Sequence, residues 1–234
     1  MSWTPSTATL SRPRFATCDD GLDYCIKHDE AGKPIRANEL ICTALARASG
    51  IAVAAASVVQ DLDGKLLFGS QIYGDDVNDN LGLFSSGGLL PEHISHIWKT
   101  YAFDLFVKNH DRHVNQYKVF YQNRQDRILS FDWGDALFCF WPNLDLPLPE
   151  PCNTVRNQRA LVARYGTFDV GVADELLDRL ESVEGSAMVN AVKQLPRGWL
   201  PARIGGEFTK WFGSRARRDR ITLIRQGLRD GTYL

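Results

Sequence analysis

Between Phe103 and Phe138 the chain carries two aspartates and an amide in an order that suits phosphoryl transfer. Asp111 sits in an Asn109-His110-Asp111-Arg112-His113 run, amides follow at Asn115 and Gln116, and Asp132 opens an Asp132-Trp133-Gly134 turn. In that chemistry one aspartate orients the acceptor hydroxyl, while a second aspartate and an amide hold the magnesium that bridges the nucleotide phosphates. A tyrosine-rich stretch and a polar turn separate the carboxylates, so a β-hairpin with strands over 118–121 and 128–131 would carry them at its two ends.

Upstream, the pattern predicts a small sheet with one helix laid on it. Two strands over 8–17 and 22–27 flank a Cys18-Asp19-Asp20-Gly21 turn, which places Lys27 on the second strand. Leu40, Ile41, Ala44, Leu45 and Ala48 follow helical spacing within 37–49, Glu39 falls in that helix's first turn, and Gly50 ends it. Strands over 51–59 and 65–72 meet at an Asp61-Leu62-Asp63-Gly64 turn. Residues 74–88 turn polar and glycine-rich, as a connector would. A helix over 91–108, with Ile94, Ile97, Trp98, Tyr101 and Leu105 on one stripe, then runs into the Asp111 loop. After a proline-rich loop at 141–151, helices are expected over 172–195 and 206–229.

Composition excludes several classes. With 234 residues, 44% hydrophobic and 24% charged, the chain is an ordinary globular one, and a net charge of −1 gives no global pull toward nucleic acid or anionic lipid. No apolar stretch approaches the roughly 20 residues that cross a bilayer. The Met-Ser-Trp-Thr-Pro start lacks the basic and apolar regions of a secretory signal. Cysteines at 18, 25, 42, 139 and 152 form no close pair, so a reduced, cytoplasmic setting is expected.

Strand lysine, helix glutamate, connector, Asp-Arg-His loop and aspartate–glycine turn, in that order, resemble the HipA-like kinases, most of all their short single-module bacterial branch, whose loop is similar to that of the phosphoinositide kinases. The likeness covers residues 9 to about 140 and only loosely the carboxy-terminal helices. Its sharpest parts are 109–113 with 131–138, then Thr9-Leu10-Ser11-Arg12-Pro13 with Asp20-Gly21 and 24–27.

The resemblance implies an α+β, two-lobed protein-kinase-like fold: a small, mainly β lobe with one helix over 1–73, a mainly helical lobe over 74–234, a hinge around 69–76, and ATP between the lobes. It implies that Lys27 contacts the α- and β-phosphates of ATP with Glu39 as its ion-pair partner, that Asp111 is the catalytic aspartate, and that Asp132 ligates Mg2+. Arg112 and His113 read as braces of the loop. The family's metal-binding asparagine falls five residues after the catalytic aspartate, where this chain has Gln116; either Gln116 serves with its longer stem, or the loop shifts and Asn115 takes the role. No Gly-x-Gly-x-x-Gly motif precedes Lys27, so Ser11 and Arg12 would contact phosphate, the alternative being an edge strand stopped by Pro13.

The activity implied is Mg-dependent transfer of the ATP γ-phosphate to a serine or threonine hydroxyl of a protein substrate. An antitoxin or regulator protein is an expected partner, although the long toxin members carry an amino-terminal subdomain without a counterpart in this sequence. Two rivals stand beside it. One is a nucleotide-binding pseudokinase without turnover, prompted by Gln116. The other is nucleic-acid binding through Arg215, Arg217, Arg218, Arg220 and Arg225, which read more simply as the solvated face of an amphipathic helix. Phe138, Phe140 and Trp141 could line an acceptor groove or lie in the core beneath the proline-rich loop.

Overall fold

The computed structural model describes residues 2–5, 14–73, 84, 87–122, 125–148 and 152–234. Strands β1 (Ser2–Pro5), β2 (Arg14–Thr17), β3 (Asp23–Lys27), β4 (Ala56–Gln60) and β5 (Leu66–Gln71) form one antiparallel sheet in the order β1-β2-β3-β5-β4. Side chains alternate faces along a strand. Ala16, Tyr24, Ile26, Val59 and Leu67 therefore pack together on one face, while Lys27 and its cross-strand partner Phe68 turn to the other, where helix α1 (Ile35–Ala48) lies. Gly69, the first residue of the expected hinge region, lies inside β5, where a side chain would be crowded: an added Cβ would come within 3.0 Å of Val59 and 3.1 Å of Tyr24. The rest of that expected hinge beyond Tyr73 lies outside the described residues.

Several boundaries differ from expectation for identifiable reasons. The first predicted strand is seen only from Arg14, since 8–13 lie outside the described residues, and Ser11 and Arg12 with them. Residues 51–55 do not extend β4. Instead Ser130 N donates to Ala52 O (3.0 Å) and Ala54 N donates to Ser130 O (3.3 Å), which ties the sheet-bearing part to the second hairpin. Because α1 begins at Ile35, Glu39 lies past its first turn and is fully buried, so it does not serve the helix dipole.

Helix α2 (Pro91–Val107) crosses the core. Of its predicted stripe Ile97, Trp98, Tyr101 and Leu105 are buried and Ile94 is half-buried, and Ala102, Phe103, Asp104, Phe106 and Val107 are buried as well, so the second half of the helix is enclosed on every side. Strands β6 (Tyr117–Gln122) and β7 (Gln125–Ser130) form the expected hairpin, pairing Tyr117 with Ser130. The predicted helix over 172–195 is two helices, α4 (Val170–Ser182) and α5 (Gly185–Lys193), separated by extended Val183 and Glu184. The one predicted over 206–229 is α6 (Ala202–Phe212) and α7 (Arg215–Arg229), divided at Gly213 and at Ser214, whose hydroxyl accepts from Ala216 N. A further helix, α3 (Asn153–Tyr165), was not expected from the sequence.

The arginines of α7 are mostly engaged within the protein. Arg220 is buried and donates to the carbonyls of Leu105 (2.7 Å), Phe106 (2.8 Å) and Leu144, capping carbonyls of the last turn of α2. Arg225 pairs with Asp178 (2.7 Å), Arg215 with Asp219 (3.3 Å), and Arg217 covers the Phe212 ring. Thus the amphipathic reading holds except at Arg220, which faces inward. Phe138 is buried and packs edge-on against Phe208, while half-buried Trp141 lies against Phe208 and Trp211, so Phe138 is core beneath the loop and Trp141 covers that core from its edge. The architecture is α+β: a small antiparallel sheet carrying one helix, joined to a mainly helical body. All five cysteines are free, and among the described residues no helix is long and apolar enough to cross a membrane.

Two outcomes follow. Replacing Arg220 with Met removes its three buried hydrogen bonds to the carbonyls of Leu105, Phe106 and Leu144 and should destabilise the protein by about 2–4 kcal/mol in denaturant unfolding, with an unchanged m-value. His96 contacts Ser130 Oγ at 2.8 Å, and burial together with the positive charge of Arg112 lowers its pKa from 6.5. The unfolded chain then binds a proton that the folded one refuses, so Tm should fall as pH drops below about 6.5, and His96→Gln should flatten that slope between pH 6.5 and the range where carboxylates titrate.

Candidate active site

Lys108 ends α2 in the left-handed conformation (φ 55°), and the chain turns sharply so that residues 109–113 run back past the helix end. What holds this loop is the carboxylate of Asp104, wholly buried in α2. Arg112 Nε donates to Asp104 Oδ2 at 2.8 Å, and Oδ1 accepts from Arg112 Nη2 (3.0 Å), Asn109 Nδ2 (2.9 Å) and Trp133 Nε1 (2.9 Å). The guanidinium also lies 4.9 Å from the Trp133 ring and donates to Phe131 O at 2.5 Å. One buried ion pair therefore fixes both the Asp111 loop and the strand end that presents Asp132. Burial alone would lower the Arg112 pKa, but Asp104 outweighs it and raises it. The first residues of α3 fasten the loop from outside: Thr154 Oγ1 donates to Asn109 O (2.7 Å) and accepts from Arg112 N (3.0 Å).

Asp132 adopts φ 69°, a left-handed conformation that is rare for a residue with a side chain and places it against β3 and α1. Its Oδ1 pairs with Lys27 Nζ, which also pairs with Glu39 Oε1. Glu39 Oε2 accepts from Trp133 N (3.2 Å), while Asn38 donates to Gly134 O (2.8 Å) and accepts from Phe138 N (2.8 Å). Two successive residues of α1 are thus bonded to the 133–138 turn. Gly134 is where the two elements come closest, since an added Cβ would lie 2.9 Å from Ile35 Cγ2 and 3.3 Å from Glu39 Oε1. Desolvation opposes ionisation of Asp132, yet Lys27 outweighs it and lowers its pKa to about 2. In Lys27 desolvation is likewise overcome by Asp132 and Glu39, and the pKa is raised. Burial raises that of Glu39.

A polar path continues to Asp111. Gln116 Nε2 donates to Asp132 Oδ2 (3.0 Å), Gln116 Oε1 accepts from His113 N (3.0 Å), and the His113 ring meets Asp111 Oδ1 at 3.0 Å. A backbone N–H can only donate, so the His113 contact fixes which end of the Gln116 amide is oxygen. Asn115 beside it is exposed.

Lys27, Glu39, Asp111, Gln116 and Asp132, separated by up to 105 positions, thus converge on one network. Sequence reasoning missed two members. Asp104 had a signal, a carboxylate inside the apolar run from Ala102 to Phe106, where only a paired charge is tolerated. Asn153, whose Nδ2 donates to Asp111 Oδ1 at 2.5 Å, had none, because α3 itself was not expected.

The donors near Asp132 are carboxylate and amide groups, and the Asp132 side chain is 35% exposed. A hard, oxygen-seeking cation such as Mg2+ suits them better than a soft metal. Among the described residues no cluster of three or more His, Cys, Asp or Glu could hold a metal alone, so such a cation would rely on phosphate and water oxygens as well.

A small antiparallel sheet with one helix, an ion-paired strand lysine, and an aspartate loop beside an aspartate–glycine turn define a kinase-type protein. The structure is similar to that of CtkA, a proinflammatory kinase of Helicobacter pylori, with a TM-score of 0.58 over 94% of this chain and 95% of that one, at 13% identity. Weaker likenesses, each with a TM-score of 0.48, are to a chain of the Shewanella oneidensis MR-1 toxin–antitoxin complex of HipA, HipB and operator DNA (14% identity, 89% of this chain, 60% of that) and to an N-terminal fragment of Legionella pneumophila LepB (15% identity, 92% and 45%). No curated protein matches the sequence. The family model described as HipA-like kinase matches residues 3–205, and the chain belongs to that family.

Substitution at the Asp104 pair should separate structure from charge. Arg112→Lys keeps the charge but loses the two-pronged contact with Asp104 and the bond to Phe131 O, and is expected to destabilise by about 3 kcal/mol in urea unfolding. Gly134→Ala should cost about 1–3 kcal/mol by pushing α1 away, a change that calorimetric unfolding would register.

Proposed function

We propose that this protein is an ATP- and Mg2+-dependent phosphotransferase that moves the γ-phosphate of ATP to a serine or threonine hydroxyl of a protein. Membership of the HipA-like kinase family supports phosphoryl transfer, and the observation that carries the residue roles is the continuous network from Glu39 and Lys27 through Asp132 and Gln116 to His113 and Asp111. In this reading the nucleotide binds between a lobe of residues 1–73 and one of residues 74–234. Lys27 would hold the α- and β-phosphates, steered by Glu39, with Ser11 and Arg12, outside the described residues, as further phosphate contacts. Asp111, half-exposed at the loop surface, would orient the acceptor hydroxyl and receive its proton.

Asp132 would hold Mg2+ together with phosphate and water oxygens; the ion would neutralise charge on the phosphates during transfer. Gln116 would join that shell only by turning its amide, which means giving up the bond from His113 N. Because its oxygen is engaged in that bond, a nucleotide-binding module without turnover is the second reading. An antitoxin-like regulator and a reducing, cytoplasmic setting belong to the same proposal, the latter supported by five free cysteines.

The test is transfer of labelled γ-phosphate to itself or to host-extract proteins, beside calorimetric ATP binding. Asp111→Ala should leave ATP binding intact and lower transfer by about 100-fold or more, and Asp132→Ala should abolish Mg-dependent binding and transfer together. Tight ATP binding without any transfer would select the second reading; no binding at all would overturn both.

A further inference from the structure

Asp111 Oδ1 is approached from two sides. The Asn153 Nδ2 donor is 2.5 Å away, the His113 Nε2 atom is 3.0 Å away, and these two nitrogens lie 3.2 Å from each other. An imidazole bonds to a carboxylate only through a nitrogen that carries hydrogen, so Nε2 carries one, and the Asn153 amide then has Asp111 alone to donate to. The other end of that amide is set too: Asn153 Oδ1 accepts from the guanidinium of Arg156, one helical turn along α3. An arginine only donates, so the amide cannot be reversed. Asp111 Oδ2 has no hydrogen-bond partner among the described residues.

We propose that Asn153, held by Arg156, is a positioning residue that occupies Oδ1 of Asp111 and so leaves Oδ2 as the oxygen that receives the acceptor's proton. This rests on the kinase reading above. In the transfer, the acceptor O–H proton passes to Oδ2 as the acceptor oxygen bonds to the γ-phosphorus and the bond from that phosphorus to the leaving ADP oxygen breaks. With Oδ1 doubly bonded, the carboxylate cannot rotate to offer either oxygen, and the near-attack geometry is kept without contact between Asn153 and any substrate.

The isosteric change Asn153→Asp distinguishes this role from a structural one. A carboxylate in the first turn of a helix is favourable to the helix dipole, so α3 should be no less stable. Toward Asp111, however, a donor becomes a repelling oxygen. Steady-state MgATP hydrolysis, with water as the acceptor, reads both quantities on the full chain. The expected result is kcat lowered about 10- to 100-fold with KM for ATP changed less than about twofold and Tm not reduced. Asn153→Ala and Arg156→Met should lower kcat in the same direction by smaller factors.

An unchanged kcat in Asn153→Asp, or a loss of kcat that tracks a loss of Tm, overturns the inference while leaving the kinase reading in place. A rise in KM at constant kcat overturns it as well. Absence of both MgATP hydrolysis and γ-phosphate transfer in the unaltered protein would remove the kinase reading and this inference together, so the two failures are told apart by the wild-type control.

Discussion

The buried carboxylate of Asp104 is the constraint on which the site depends. A charge taken out of water is tolerated only when its lone pairs are met, and here four donors from two separate segments, the 109–113 loop and the turn after Asp132, converge on it. Because Arg112 and Asn109 belong to the loop around Asp111 and Trp133 to the turn after Asp132, meeting that charge holds both segments against α2. The specificity of the arrangement comes from geometry: a planar guanidinium with fixed donors fits one orientation of the carboxylate, stacks on one indole, and has one prong left for Phe131 O.

A second constraint joins the sheet to the helical body. Lys27 is placed between Glu39 and Asp132, so its single charge meets two carboxylates, and the left-handed Asp132 is held by that pairing despite its unfavourable backbone. The adjoining contacts of Asn38 and Glu39 with the 133–138 segment make α1 an integral part of the site. A shift of α1 would therefore disturb the lysine, the aspartate and the backbone of the turn at once.

Gln116 shows how a one-methylene difference is accommodated. Its longer stem lets the amide bridge from the His113 backbone to Asp132, so it acts as a spacer between the two aspartate-bearing segments. Asn115, the other residue the sequence left open for this place, is exposed in the short helical turn over 114–116.

By itself the sequence determined the order of the chemistry, the strand bearing Lys27, α2 with its apolar stripe and the hairpin between the aspartates, because these depend on local period and turn chemistry within windows of about 10–20 residues. It also contained the family likeness, which resides in residue types at short spacings. The tertiary structure alone decided the choice of Gln116 over Asn115 as the residue facing Asp132, the burial of Glu39 and Arg220, and the participation of Asp104, Thr154 and Asn153. Each of those depends on pairing across 8 to 115 positions, as from Arg112 to Asp104 and from Arg220 to Leu105. Such pairing is driven by the need of buried polar groups for partners, and a partner's place in space has no fixed spacing along the chain.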